Sequence, residues 1–180
     1  ILPGVSVLSI ISTQSHPDHT GGGRVCAGNE DPEIYRHERL VSAPPDIGRA
    51  GRDGGDQFGM ALPESMYINA GVQREYGRGT PPTREGYLPP TRTFSDDQRL
   101  LTIAGVRLQL LYTPGETADA ISVWLPEKRV LMTGDDFFRA FPNISPIRGA
   151  RLRTPEDWIA SLEKMIGLGP EHVVPGHTRP

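Results

Sequence analysis

Cysteine is all but absent from this sequence. Cys26 stands alone, so no disulfide can close within the chain, and the redox compartment is left open. Long apolar runs are missing too: the most apolar stretch, Val5 to Ile11, is far too short to span a bilayer. There is no excess of positive charge. Lys and Arg number 19 against 22 Asp and Glu, with a net charge of -3 and a pI near 6.0. Such a balance offers no basic surface to nucleic acid or to an anionic membrane. No charged segment leads into an apolar one at the start, so no signal peptide is read and the compartment stays undecided between cytoplasm and periplasm.

Glycine and proline, by contrast, are plentiful, at 21 and 18 residues. They are scattered as punctuation and form no low-complexity tract, which reads as a loop-rich globular protein. The length of 180 residues suggests a single domain spanning 1–180, with ordinary fractions of apolar (36%) and charged (23%) residues.

Val5 to Ile11 reads as a buried strand running into the loop Thr13-Gln14-Ser15-His16-Pro17-Asp18-His19. Pro17 disfavours helix just before it, so a short helix is expected only near Thr20, with Thr20 as its cap. Ile34 to His37 reads as a small outer strand. Periodicity then fades, and 41–98 is expected to be a long irregular insertion, either covering a substrate or elaborating the surface. Strands are expected at Leu100 to Ile103, Val106 to Tyr112, Ile121 to Leu125 and Arg129 to Thr133. Thr154-Pro155-Glu156 opens the clearest helix, with Trp158, Ile159, Leu162, Met165 and Ile166 on its apolar face, and Gly167 stops it. His172 to Val174 is a last short strand. Trp124 and Trp158 are expected in the core, His37 and His172 at the surface or in packing, and Cys26 has no histidine close in sequence to activate it.

The chemistry concentrates in four turns. His16, Asp18 and His19 put two imidazoles and a carboxylate within four residues, all suitable zinc donors. Alone, that loop reads more readily as a polar turn, with Asp18 capping a helix and two surface histidines. Three further segments pair a strand end with a donor on a glycine turn: Thr113-Pro114-Gly115-Glu116, Thr133-Gly134-Asp135 and Val174-Pro175-Gly176-His177. One such turn is often only an Asx turn, but four in this order are hard to assemble by chance.

Taken together, these turns resemble the ligand loops of the metallo-β-lactamase superfamily, from about Val7 to Pro180. Glu116 in Thr-Pro-Gly-Glu-Thr-Ala-Asp, the stretch from Asp136 to Asn143, Ile147-Arg148-Gly149 and the ending His177-Thr178-Arg179-Pro180 are similar to the alkylsulfatase branch. The resemblance implies an α/β fold, the αββα sandwich, shortened ahead of the histidine loop and lacking the C-terminal helical and carrier-like domains. It implies His16, Glu116 and Asp135 at a first zinc, and Asp18, His19, His177 and the bridging Asp135 at a second. It also implies a metal-held hydroxide attacking an alkyl sulfate ester, with Asp18 and Asp135 acting at the metals. Asn69 and Arg148 are implied as sulfate-binding residues, and a second copy of the chain as a homodimer partner. Gln14 departs from the pattern where a ligand histidine is expected, so the first of the two zincs is expected to be held weakly. A thioesterase or lactonase of the same superfamily, and a catalytically impaired metal-binding relative, are the competing readings.

Overall fold

The computed structural model describes residues 4–40, 86–140 and 153–178. The expected sulfate-binding residues Asn69 and Arg148, and most of the 41–98 insertion, lie outside the described residues.

Among the described residues, eight strands form two sheets. β1 (Ser9–Ile11), β2 (Glu33–His37) and β3 (Arg92–Phe94) make a parallel sheet in that order. β4 (Gln98–Ile103), β5 (Val106–Tyr112), β6 (Ile121–Leu125), β7 (Val130–Gly134) and β8 (His172–Pro175) make the second, antiparallel until the parallel β7–β8 pair. The helices are α1 (Pro17–Thr20), α2 (Gly23–Ala27) and α3 (Pro155–Gly167).

The layering follows from strand alternation. Adjacent residues of a strand face opposite sides of the sheet. Leu110, Ile121 and Val123 therefore turn one way and meet Phe94, Ile11 and Tyr35 of the smaller sheet. Leu111, Trp124 and Leu131 turn the other way and meet Met165, Leu162 and Leu168 of α3 and its end. On the outer side of the small sheet, Ile10 and Ile34 pack with Ala27 of α2 and Leu88. Helix, sheet, sheet and helix stack in that order: the αββα sandwich. β6 is covered on both faces, which explains why Ile121-Ser122-Val123-Trp124 is buried throughout.

Several sequence expectations change. The first strand is only Ser9–Ile11, with Val5 and Leu8 exposed. Pro17 opens α1 instead of delaying it, in keeping with proline's tolerance in a first helical turn. Thr20 closes that turn: its hydroxyl donates back to the His16 carbonyl at 3.1 Å. β2 is the central strand of its sheet, not an outer one, because β3 forms within the stretch expected to be irregular. Ile159 and Ile166 of α3 are exposed, and the buried stripe runs through Trp158, Ser161 and Met165. Thr154 precedes α3 in extended backbone but makes no side-chain cap.

Candidate metal centre

The four donor turns converge at one end of the sandwich, where β1, β7 and β8 all finish. Thr13 anchors the first loop: its carbonyl accepts from Ile121 N at 2.8 Å, and its side chain packs against Gly134. From there the chain turns through His16 and α1. Gly134 and Gly176 close the opposite side, with Gly176 N donating to Gly134 O at 2.7 Å.

Asp18, His19, Asp135 and His177 present one cluster of donor atoms. His19 Nε2 is 3.1 Å from Asp135 Oδ2 and 3.4 Å from Asp18 Oδ2. His177 Nε2 is 3.3 Å from Asp135 Oδ2 and 3.2 Å from Asp18 Oδ2. Tetrahedral donors about 2.0–2.2 Å from a zinc ion stand about 3.3–3.6 Å apart, close to this ring of spacings. The set therefore fits a metal. Thr13 Oγ1 sits 3.1 Å from His19 Nδ1 and fixes the ring with Nε2 toward the carboxylates, the outer-shell arrangement that holds ligand imidazoles.

The electrostatics ask for a cation. Burial alone would lower the His19 pKa, but hydrogen bonds and charge from Asp135 and Asp18 lift it to about 10. Burial would likewise raise Asp18, yet His19 and His177 bring it down to about 2. Asp135 is also held below the usual carboxylate range, against its burial, by the same two histidines.

His16, Glu116 and Asp135 form the second candidate set, and here the fit fails. His16 Nδ1 is 3.1 Å from Glu116 Oε2. Gln14 Nε2, however, lies 2.7 Å from Asp135 Oδ2 and 3.2 Å from His16 Nδ1, with the side chain almost wholly buried at 1% exposure. Arg153 reaches the other Glu116 oxygen, Oε1, and both side chains are buried. Protein N–H groups already occupy much of what an ion would need.

Asp136 supports this set from below. Its Oδ1 accepts Glu116 N at 3.0 Å and its carbonyl accepts Trp158 Nε1 at 2.8 Å, so α3 and the Glu116 turn are tied together. Burial pushes its carboxyl up to about 7. Ser15 Oγ donates to Asp119 Oδ1 at 3.1 Å, linking the histidine loop to the turn before β6.

The structure thus brings together all six residues expected at metals. Arg153 was not legible in the sequence, since no motif surrounds it. Gln14 was visible only as a departure, and the bonds its amide makes were not.

The metallo-beta-lactamase superfamily model matches residues 2–177, so the chain belongs to that superfamily. Among curated proteins it is similar to the linear primary-alkylsulfatase of Pseudomonas sp. (strain ATCC 19151), 31% identical over 190 residues. That match takes in 97% of this chain and 34% of the relative; the chain thus spans about a third of the length of the relative it matches. The stereoselective inverting sec-alkylsulfatase Pisa1 from Pseudomonas sp. shares the fold at a TM-score of 0.69 and 18% identity, over 99% of this chain and 30% of that one. A protein solved in a di-iron-bound form matches at a TM-score of 0.60 and 23% identity, over 97% of this chain and 72% of its own.

Proposed function

We propose that this chain is the metal-binding core of a hydrolase that cleaves alkyl sulfate esters. The observation that carries the metal reading is the ring of four donors, Asp18, His19, Asp135 and His177, in which each histidine Nε2 stands 3.1–3.4 Å from both carboxylate oxygens. Likeness to alkylsulfatases supports the substrate class.

The imidazole and carboxylate donors suit zinc, although iron or manganese also accept such mixed sets, and one structural relative is a di-iron protein. A divalent ion bound there supplies Lewis acidity, polarising the ester and making water a better nucleophile near neutral pH. The chain's own residues do the rest. Asp135 Oδ2 faces both histidines and holds them in register, while Asp18, half-exposed, is the donor nearest to arriving solvent and substrate. Asn69 and Arg148 are the assigned donors to the sulfate oxygens, where an arginine fork makes two hydrogen bonds to an oxyanion.

The test is to load the protein with zinc, offer a medium-chain primary alkyl sulfate, and follow inorganic sulfate by ion chromatography. Sulfate release that stops with chelator and returns with zinc is expected. Turnover of a thioester or lactone in place of the sulfate would move the assignment to a carbonyl substrate. Metal bound with no turnover of any of the three would make this a metal-binding relative without catalysis.

A further inference from the structure

We infer that this chain holds one metal ion, and that Gln14 and Arg153 together stand in for a second. The inference rests on the metal reading above. It starts from the three side chains that would face a second ion, His16, Glu116 and Asp135, and from the atoms that meet one another or Gln14 there: His16 Nδ1, Glu116 Oε2 and Asp135 Oδ2.

A carboxamide nitrogen carries two hydrogens and no lone pair to offer a cation. Gln14 Nε2 lies within hydrogen-bonding distance of two acceptors, Asp135 Oδ2 at 2.7 Å and His16 Nδ1 at 3.2 Å. Thr117 Oγ1 donates to Gln14 Oε1 at 3.5 Å, which turns the oxygen away from the carboxylate and the NH2 toward it. Two of the three facing atoms are therefore taken by one amide. An ion could reach them only by displacing a fully buried side chain.

Glu116 supplies the other half. Arg153 pairs with its Oε1 in a dry contact, both side chains less than a tenth exposed. Arginine stays charged at any working pH and cannot be titrated away, so it is a permanent cation at this position. Of the oxygens on Glu116 and Asp135, only Glu116 Oε2 and Asp135 Oδ1 lack a hydrogen bond among the described residues, and two carboxylate oxygens fall short of the three or four protein donors of a zinc site. The charge agrees. Asp18, Asp135 and Glu116 bring three negative charges, which one divalent ion and Arg153 neutralise without a second ion.

The experiment counts zinc bound per chain, by elemental mass spectrometry after dialysis and by calorimetric titration. One equivalent is expected in the wild type. Two equivalents of similar affinity would overturn the inference and leave the metal reading standing; none would overturn both. Gln14→His replaces the blocking amide with a donor, and the second ion should then bind at least about 100-fold more tightly than to the wild type. Cobalt substitution should show spin coupling between two ions in that variant only. No second ion in a folded Gln14→His protein would remove Gln14 from the account. Adding Arg153→Met to Gln14→His takes away the competing charge and should tighten the second ion by about tenfold more. Equal or weaker binding would remove Arg153.

Discussion

Gly176 donates its backbone N–H to the Gly134 carbonyl at 2.7 Å, so the ends of β7 and β8 are locked together just where Asp135 and His177 emerge. This contact converts two separate glycine turns into one platform. A side chain at 176 has no room: a Cβ there would lie 2.5 Å from Asp135 Oδ1 and 3.0 Å from the Gly134 backbone.

Gly176→Ala should therefore push the Asp135 carboxylate off its line to His19 and His177. We expect metal affinity to fall about 10- to 100-fold, the scale seen when groups supporting metal ligands are disturbed. Competition with a chromogenic chelator measures it, with circular dichroism as the check on folding. Unchanged affinity would mean that Asp135 does not need this backbone contact to hold its place.

His37 sets a pH dependence away from the metal cluster. It is buried, stacked 4.2 Å from the Tyr112 ring, and its Nε2 has no hydrogen-bond partner among the described residues. Burial above all, with Arg39 nearby, holds its pKa below the ordinary 6.5. The unfolded chain then takes up this proton at a higher pH than the folded one. His37's contribution is complete above about pH 6.5 and is lost as pH falls below that toward the folded-state value. Between about pH 7.5 and about pH 5 in urea unfolding, the stability difference between wild type and His37→Phe, which keeps a ring in the stack, should shift in favour of the variant at the lower pH. An identical pH profile in the variant would show that other groups carry the effect.

Leu131 and Met132 are neighbours on β7 that face opposite ways. Leu131 is 1% exposed, between Leu111, Trp124 and Met165, whereas Met132 is 39% exposed. Leu131→Ala should cost about 2–5 kcal/mol in chemical denaturation, because the cavity it leaves is walled by a sheet and a helix that cannot both close in. Met132→Ala should cost less than about 1 kcal/mol. Similar costs would mean that the α3 face is not the main core.

Local signals along the chain suffice for the strand–turn pattern and for the residues that gather at its turns. Each donor turn follows a short apolar run and is marked by proline or glycine, and those signals are local: steric limits on backbone torsion and alternation along a strand. β5, β6, β8 and α3 were legible for that reason, as were the six residues that the fold gathers and the odd glutamine among them. Tertiary structure decided what needs partners distant in sequence. β3 is three residues long and becomes a strand only by pairing with β2, so no period announces it. Which apolar residues of α3 are buried depends on where the sheet lies, and Ile159 and Ile166 fall outside its reach. Gln14 meets Asp135 across 121 residues, and Arg153 meets Glu116 only because α3 starts beside the β5–β6 turn. A side chain's hydrogen-bond partners are fixed by packing and not by its neighbours in the chain, so the sequence could name the donors but not which of their lone pairs the protein itself would fill.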